Sequence, residues 1–208
     1  MVAPTAPCRL YLQVPPVLSA GLDGALRDAL EGSELACVLR CGFAAAADLD
    51  WDMRLRELTD ARHVALLVEN DTERAERIGA DGVHLAADAP LYRRARDHLG
   101  ERATIGVGCI ETRHDAMLMA ELGADYVAFG LLPGESGHER RAELIAWWAE
   151  LFEVPCVAFD IETAAEAGQL AGLGADFVAP SLAIWQAEDA SQRIAAIGAA
   201  IQQARTAA

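Results

Sequence analysis

The chain has 208 residues, 53% of them apolar, and its 17 basic residues against 32 acidic ones give a formal net charge of −15. That is enough for one large core, and the acidic balance argues against nucleic acid and anionic membrane as partners. No apolar run approaches the ~20 residues of a membrane span, and every basic residue is an arginine, so no lysine can form a Schiff base or hold a phosphate.

Residues 1–8 read as an N-terminal tail without the basic region or apolar stretch of a secretion signal. Residues 9–205 read as one domain of alternating strands and helices. The first strand is Arg9–Val14, stopped by Pro15-Pro16, and a helix follows over Asp23–Glu31. Ala36–Arg40 is the second strand, and an alanine-rich stretch leads to a helix over Trp51–Asp60. Val64–Val68 is the third strand. Its helix opens at Asp71, where Thr72, Glu73 and Glu76 suit a helix N-terminal turn. Gly82–Leu85 is the fourth strand, with a helix after Pro90. Thr104–Gly108 and a helix from Thr112 come next, then Tyr126–Gly130 and a helix over Glu139–Leu151. Cys156–Phe159, a helix after Thr163, Phe177–Ala179 and a final helix end the chain.

One phrase occurs three times: Gly79-Ala80-Asp81-Gly82-Val83, Gly123-Ala124-Asp125-Tyr126-Val127 and Gly174-Ala175-Asp176-Phe177-Val178. Glycine takes the left-handed position that ends a helix, aspartate sits in the turn, and the next residues open a buried strand. Strict alternation with short apolar strands predicts a parallel sheet covered by helices, and the repeated joint predicts an α/β TIM (β/α)8 barrel. An open doubly wound sheet is the competing arrangement, but no G-x-G-x-x-G follows the first strand.

In such a barrel chemistry sits where strands end and βα loops begin. Those positions hold Gln13, Arg40, Cys41, Glu69-Asn70-Asp71, His84, Asp88, Cys109, His114, the 131–141 segment, Asp160 and Ser181. Glu69-Asn70-Asp71 with Asp88 offers oxygen ligands suited to Mg²⁺, though Asp71 equally suits a helix cap. Arg40 ends an apolar strand, either to clamp a phosphate or to pair with a neighbouring carboxylate. His84, between apolar residues, reads as a hydrogen-bonded core histidine. His114 is either a solvated helix turn or an acid–base or substrate contact. The 131–141 segment, with His138, Glu139, Arg140 and Arg141, reads as a mobile lid or a surface charge cluster. Five irregularly spaced cysteines without a CxxC fit reduced thiols in the cytoplasm. Trp147-Trp148 marks either an apolar contact surface, as in a homo-oligomer, or packing against the barrel.

Leu67-Val68-Glu69-Asn70-Asp71, the block Ile78–Leu85, Gly123–Gly130 and Gly174–Ala179 together resemble thiamine phosphate synthases and the related thiazole tautomerases, in order, over roughly residues 9 to 200. The resemblance implies a TIM barrel that joins a pyrimidine pyrophosphate to a thiazole phosphate with Mg²⁺. It implies Asn70 and Asp71 at the metal, with Asp88 near the position of the second carboxylate, and Arg40 at the pyrophosphate. On the same pattern Cys109 stands in the Ser-x-His-Thr segment with His114 nearby, and Ser181 falls near the strand-eight serine. The chain departs from the family where Gln-x-Arg-x-Lys becomes Val38-Leu39-Arg40-Cys41-Gly42, where the loop lysine after strand six is absent, and where a Gly-Gly phosphate cradle becomes Phe159-Asp160-Ile161. Two functions follow as expectations: a synthase with a rebuilt site, or a divergent barrel that binds another small ligand or serves as a regulatory partner.

Overall fold

In the computed structural model, which describes residues 8–17, 21–42, 49–108, 112–130 and 137–206, eight parallel strands close into a barrel in chain order. The elements are β1 (Arg9–Val14), α1 (Leu22–Gly32), β2 (Leu35–Arg40), α2 (Leu49–Asp60), β3 (Ala65–Glu69), α3 (Thr72–Ile78), β4 (Gly82–Ala86), α4 (Ala89–Leu99), β5 (Thr104–Gly108), α5 (Arg113–Glu121), β6 (Tyr126–Phe129), α6 (Gly137–Leu151), β7 (Cys156–Ile161), α7 (Ala164–Gly172), β8 (Phe177–Pro180) and α8 (Ala190–Thr206). Pairing of Arg9 with Phe177 and Leu10 with Val178 closes the sheet. The expected barrel is therefore the fold. Among the described residues no helix is long and apolar enough to cross a membrane.

Helix starts follow their caps. Asp71, Asp88, Thr112 and Thr163 each accept a hydrogen bond from the backbone N–H three residues on, which satisfies a first-turn donor of α3, α4, α5 and α7. The repeated phrase does more than end helices. Gly79, Gly123 and Gly174 have φ of 65°, 96° and 101°, the left-handed conformation expected of them. Each following aspartate then clasps one residue of the preceding strand from both sides. Asp81 N donates to Leu66 O and its Oδ2 accepts from Leu66 N, both at 2.8 Å. Asp125 does the same to Ile105 and Asp176 to Cys156. Three strand pairs are thus started by the same two-bond clasp, at the N-terminal end of the barrel.

Two apolar layers follow from strand alternation. Leu10, Leu12 and Val14 pack with the helices, while Tyr11 lies in the interior cluster with Cys37, Leu39, Leu67, Tyr126, Val157 and Phe159. Polar groups inside the barrel are paired. Tyr11 and Tyr126 share a hydrogen bond of 2.8 Å, and the Tyr126 hydroxyl meets His84 Nδ1 at 3.0 Å. Burial pushes the His84 imidazole down to about 4, so it is neutral at pH 7. Space for this chain depends on Gly106, where a Cβ would lie 1.8 Å from Tyr126 Cζ.

The tryptophan pair is not an exposed apolar surface. Trp148 is fully buried, stacks on Phe152 at 4.0 Å and donates to Val154 O. Trp147 is half-buried beside it under the Arg113 guanidinium.

Candidate active site

The C-terminal ends of β1 to β4 converge on a connected set of side chains. Gln13 Nε2 ties β1 to β8 through Pro180 O at 3.0 Å, and Cys41 Sγ lies 3.7 Å from Gln13 Oε1. Glu69 Oε2 accepts from Gly42 N at 2.6 Å and joins the ends of β3 and β2. The Cys41 thiol is pushed up, chiefly by burial and then by Glu69, with Asp160 adding to it; two carboxylates from opposite sides of the mouth therefore act on one point.

Asn70 sits in the left-handed region at φ 53°, a conformation asparagine tolerates better than most residues. Its backbone N donates to His84 O at 2.9 Å and its Oδ1 accepts from Ala86 N at 3.1 Å. Both bonds run to β4, so Asn70 sets the β3 turn beside the β4 turn and brings the Asp71 and Asp88 caps onto neighbouring strand ends. Asp71 spends Oδ1 on Arg74 N and holds Oδ2 at 3.6 Å from Arg74 Nε. Asp88 spends Oδ1 on Leu91 N at 2.6 Å; its second oxygen has no hydrogen-bond partner among the described residues. Both candidate metal carboxylates are thus helix caps whose second oxygen is not used by the cap, that of Asp71 facing Arg74 Nε. These oxygens, with the Asn70 amide, are hard donors of the type Mg²⁺ takes. Among the described residues no cluster of three or more His, Cys, Asp or Glu side chains is placed to hold a metal by itself. That donor set fits an ion that also takes phosphate oxygens of a substrate, as Mg²⁺ usually does.

Arg40 lies beneath the mouth, 1% exposed. Its Nε donates to Asp52 Oδ1 at 2.9 Å, while the terminal nitrogens reach Gly42 O and, at 3.5 Å, Pro16 O. The carboxylate pairing read as one alternative from the sequence is therefore present, and the partner is Asp52, in the first turn of α2. The other Asp52 oxygen receives Arg74 Nη1. Sequence reasoning missed Asp52 and Arg74. A helical wheel carries the signal: Asp52 falls on the buried side of α2 with Trp51, Leu55 and Thr59, and Arg74 on that of α3 with Ala75 and Ile78.

On the far side of the mouth, β7 carries an irregularity between Ala158 and Ile161, and Asp160 takes φ 63° there. The carboxylate thus occupies a glycine-like backbone position where the sequence pattern had a glycine cradle. Arg141 stabilises this turn. It is wholly buried, donates to the carbonyls of Phe159 and Asp160, and pairs with Glu166 of α7. The surface charge cluster read from the sequence holds for His138, Glu139 and Arg140, which are exposed on α6, and is corrected for Arg141, an internal anchor. Residues 131–136 lie outside the described residues, as does Cys109. A groove of 520 Å³ opens near Arg141, Glu166 and Gln169, on the helical layer between α6 and α7. Ser181 Oγ accepts from Ala183 N and caps the short turn Leu182–Gln186, and its N donates to Ile161 O. His114 stands exposed on the first turn of α5, and no hydrogen bond among the described residues ties it to Arg40, Asp71 or Ser181.

The fold and the site define a (β/α)8 barrel whose oxygen donors and buried arginine lie at the C-terminal mouth, the end where such barrels carry their chemistry. Residues 16–184 match the thiamine monophosphate synthase family, and the chain belongs to that family. It is 40% identical to the thiamine-phosphate synthase of Rhodospirillum centenum over 185 residues, covering 86% of this chain and 89% of that one. It is 36% identical to that of Erythrobacter litoralis over 193 residues, covering 88% and 91%. Among solved structures, the thiamine phosphate pyrophosphorylase of Pyrococcus furiosus superposes with a TM-score of 0.79 at 22% identity over 94% of this chain and 96% of that one, a likeness of fold.

Proposed function

We propose that this barrel is a thiamine phosphate synthase, joining a hydroxymethylpyrimidine pyrophosphate to a thiazole phosphate. The observation that carries the reading is a chain that matches the family over residues 16–184 and carries capping carboxylates, Asp71 and Asp88, at the ends of two adjacent strands that Asn70 ties together. In the reaction the bond between the pyrimidine methylene and the pyrophosphate oxygen breaks, its electron pair leaves with pyrophosphate, and the thiazole ring nitrogen bonds to the methylene carbon.

The residues divide that work. Asp71 and Asp88 are the carboxylates that would hold Mg²⁺, which would supply charge neutralisation for a departing pyrophosphate. Arg40 supplies further positive charge. Its Nε stays with Asp52, while its terminal N–H groups exchange the neutral carbonyls of Pro16 and Gly42 for phosphate oxygens, which are stronger acceptors. Asn70 fixes the metal turn through Oδ1 and offers its NH₂ to substrate. Ser181 and the turn it caps take the thiazole phosphate, and His114, exposed at the start of α5, contacts substrate from the β5 side. Beneath them Phe159 and His84, 4.9 Å apart between ring centroids, make an aromatic floor suited to a planar heterocycle. The free thiols of Cys8, Cys37, Cys41 and Cys156 suit a reducing compartment, and we assign the chain to the cytoplasm.

Purified protein incubated with both phosphorylated substrates and Mg²⁺ is expected to release thiamine phosphate and pyrophosphate. Absence of product, together with no thermal shift on adding pyrophosphate and Mg²⁺, overturns the reading.

A further inference from the structure

Four charged side chains form an alternating chain under the β2–β3 rim: Arg40, Asp52, Arg74 and Asp71. Asp52 Oδ1 takes Arg40 Nε at 2.9 Å, Asp52 Oδ2 takes Arg74 Nη1, and Arg74 Nε lies 3.6 Å from Asp71 Oδ2. Arg40 and Asp52 side chains are each 1% exposed. A buried ion network of this kind is a poor way to gain stability, because desolvation of the charges offsets their attraction. What it does achieve is geometric. Its two ends are the residues assigned above to pyrophosphate and to metal, and its middle touches neither.

We propose that Asp52 is a positioning residue of the active site, fixing Arg40 for the pyrophosphate and, through Arg74, the orientation of the Asp71 carboxylate for the divalent cation. Both Asp52 oxygens are used, one per guanidinium, so the two functional ends share one anchor on α2. With Nε held, the Arg40 fork keeps its orientation, and its terminal nitrogens, now bonded to the Gly42 and Pro16 carbonyls, are the ones that turn to an incoming anion. With Nη1 of Arg74 held, Nε stays beside Asp71 and restricts which way its carboxylate turns. The argument rests on the synthase reading for the identity of the two ligands, while the chain of contacts stands without it.

The test compares wild type with Asp52→Asn and Arg74→Gln, using thermal denaturation alongside steady-state kinetics. For Asp52→Asn the KM for the pyrimidine pyrophosphate and the Mg²⁺ concentration for half-maximal rate are both expected to rise on the order of tenfold, with the KM for the thiazole phosphate unchanged. Arg74→Gln, which leaves the Arg40–Asp52 pair in place, is expected to raise only the Mg²⁺ requirement. A lowered melting temperature with all three constants unchanged makes Asp52 structural and overturns the proposal. If Asp52→Asn does not fold, Arg74→Gln decides, and an unchanged Mg²⁺ requirement overturns the proposal. A wild type inert toward both substrates and toward pyrophosphate with Mg²⁺ removes the synthase reading and this proposal together; the outcomes above remove the proposal alone.

Discussion

The two ends of the barrel are built on opposite plans. At the N-terminal end the same device is used three times: a left-handed glycine, then an aspartate that clasps the preceding strand by its own N–H and Oδ2. At the C-terminal end several of the described joints share helix caps but otherwise differ. Asn70 and Asp160 are non-glycine residues in left-handed conformations, Asp52 binds two arginines, and Arg141 is buried against the turn that ends β7. Repetition serves pairing of strands, which is the same task at each joint. Irregularity serves a site, where each loop must present a different group.

The sharpest way to separate the two plans is a substitution that spares folding and removes chemistry. Asparagine caps a helix about as well as aspartate, so Asp71→Asn keeps the bond to Arg74 N and removes the charge offered to the cation. Turnover is expected to fall roughly 100- to 1,000-fold, with a stability change below about 1 kcal/mol. Kinetics and thermal melts on one preparation check both halves. Retained turnover would remove Asp71 from the metal site.

The interior between the two ends titrates. His84 has its imidazole held down to about 4 against an ordinary value of 6.5 because the charged form is desolvated. The unfolded chain therefore binds the proton first as pH falls. The contribution of neutral His84 is complete above pH 6.5 and is lost as pH falls toward about 4, at about 1.4 kcal/mol per pH unit, for a total of about 3 kcal/mol. Denaturant melts at several pH values are expected to show this acid slope in the wild type and its absence in His84→Gln. Equal slopes in both would assign the acid sensitivity elsewhere.

Legibility from sequence divides along the same line. The N-terminal joints and the helix starts at Asp71, Thr112 and Thr163 were readable because glycine and capping residues act locally, within one turn of chain. The Asp81, Asp125 and Asp176 clasps were seen only as turns, since their partners lie a strand away. At the mouth, the positions of Asn70, Asp71 and Asp88 after the third and fourth strands are readable from sequence, and the structure has Asp71 and Asp88 there as helix caps. Asp52, Arg74 and Arg141 were not readable in this way, because a charged residue on a helix reads as solvated until its partners on other elements are known. The β7 irregularity also left no periodic trace; strand seven was expected to end at Phe159 and runs to Ile161.

Removing one clasp probes the N-terminal plan alone. Asp125 Oδ2 accepts from Ile105 N at 2.7 Å and from Arg96 at 2.8 Å. Asp125→Ala strands a backbone donor and is expected to cost about 2 kcal/mol, lowering the melting temperature by roughly 4–8 °C for a chain of this size. KM and kcat at a permissive temperature are expected to match wild type. A specific loss of turnover at full folding would mean that the two ends are coupled.

The smallest effect tests whether the mouth retains its departure from the glycine pattern for a reason. Asp160 sits at φ 63°, where glycine is the unstrained choice, so Asp160→Gly relieves backbone strain and also removes a carboxylate whose field reaches Cys41 across the mouth. Its remaining contacts are lost at the same time, and the net stability change is expected to stay within about 1 kcal/mol of wild type. The kinetic effect has a definite sign. A negative charge beside an anion site weakens anion binding, so the KM for the phosphorylated substrate on the β7–β8 side is expected to fall by about twofold to fivefold, more at low ionic strength than at high, where screening shortens the reach of the charge. A KM that rises in Asp160→Gly would show the carboxylate to be a binding group, engaged with a positive or hydrogen-donating part of the substrate rather than opposing its phosphate.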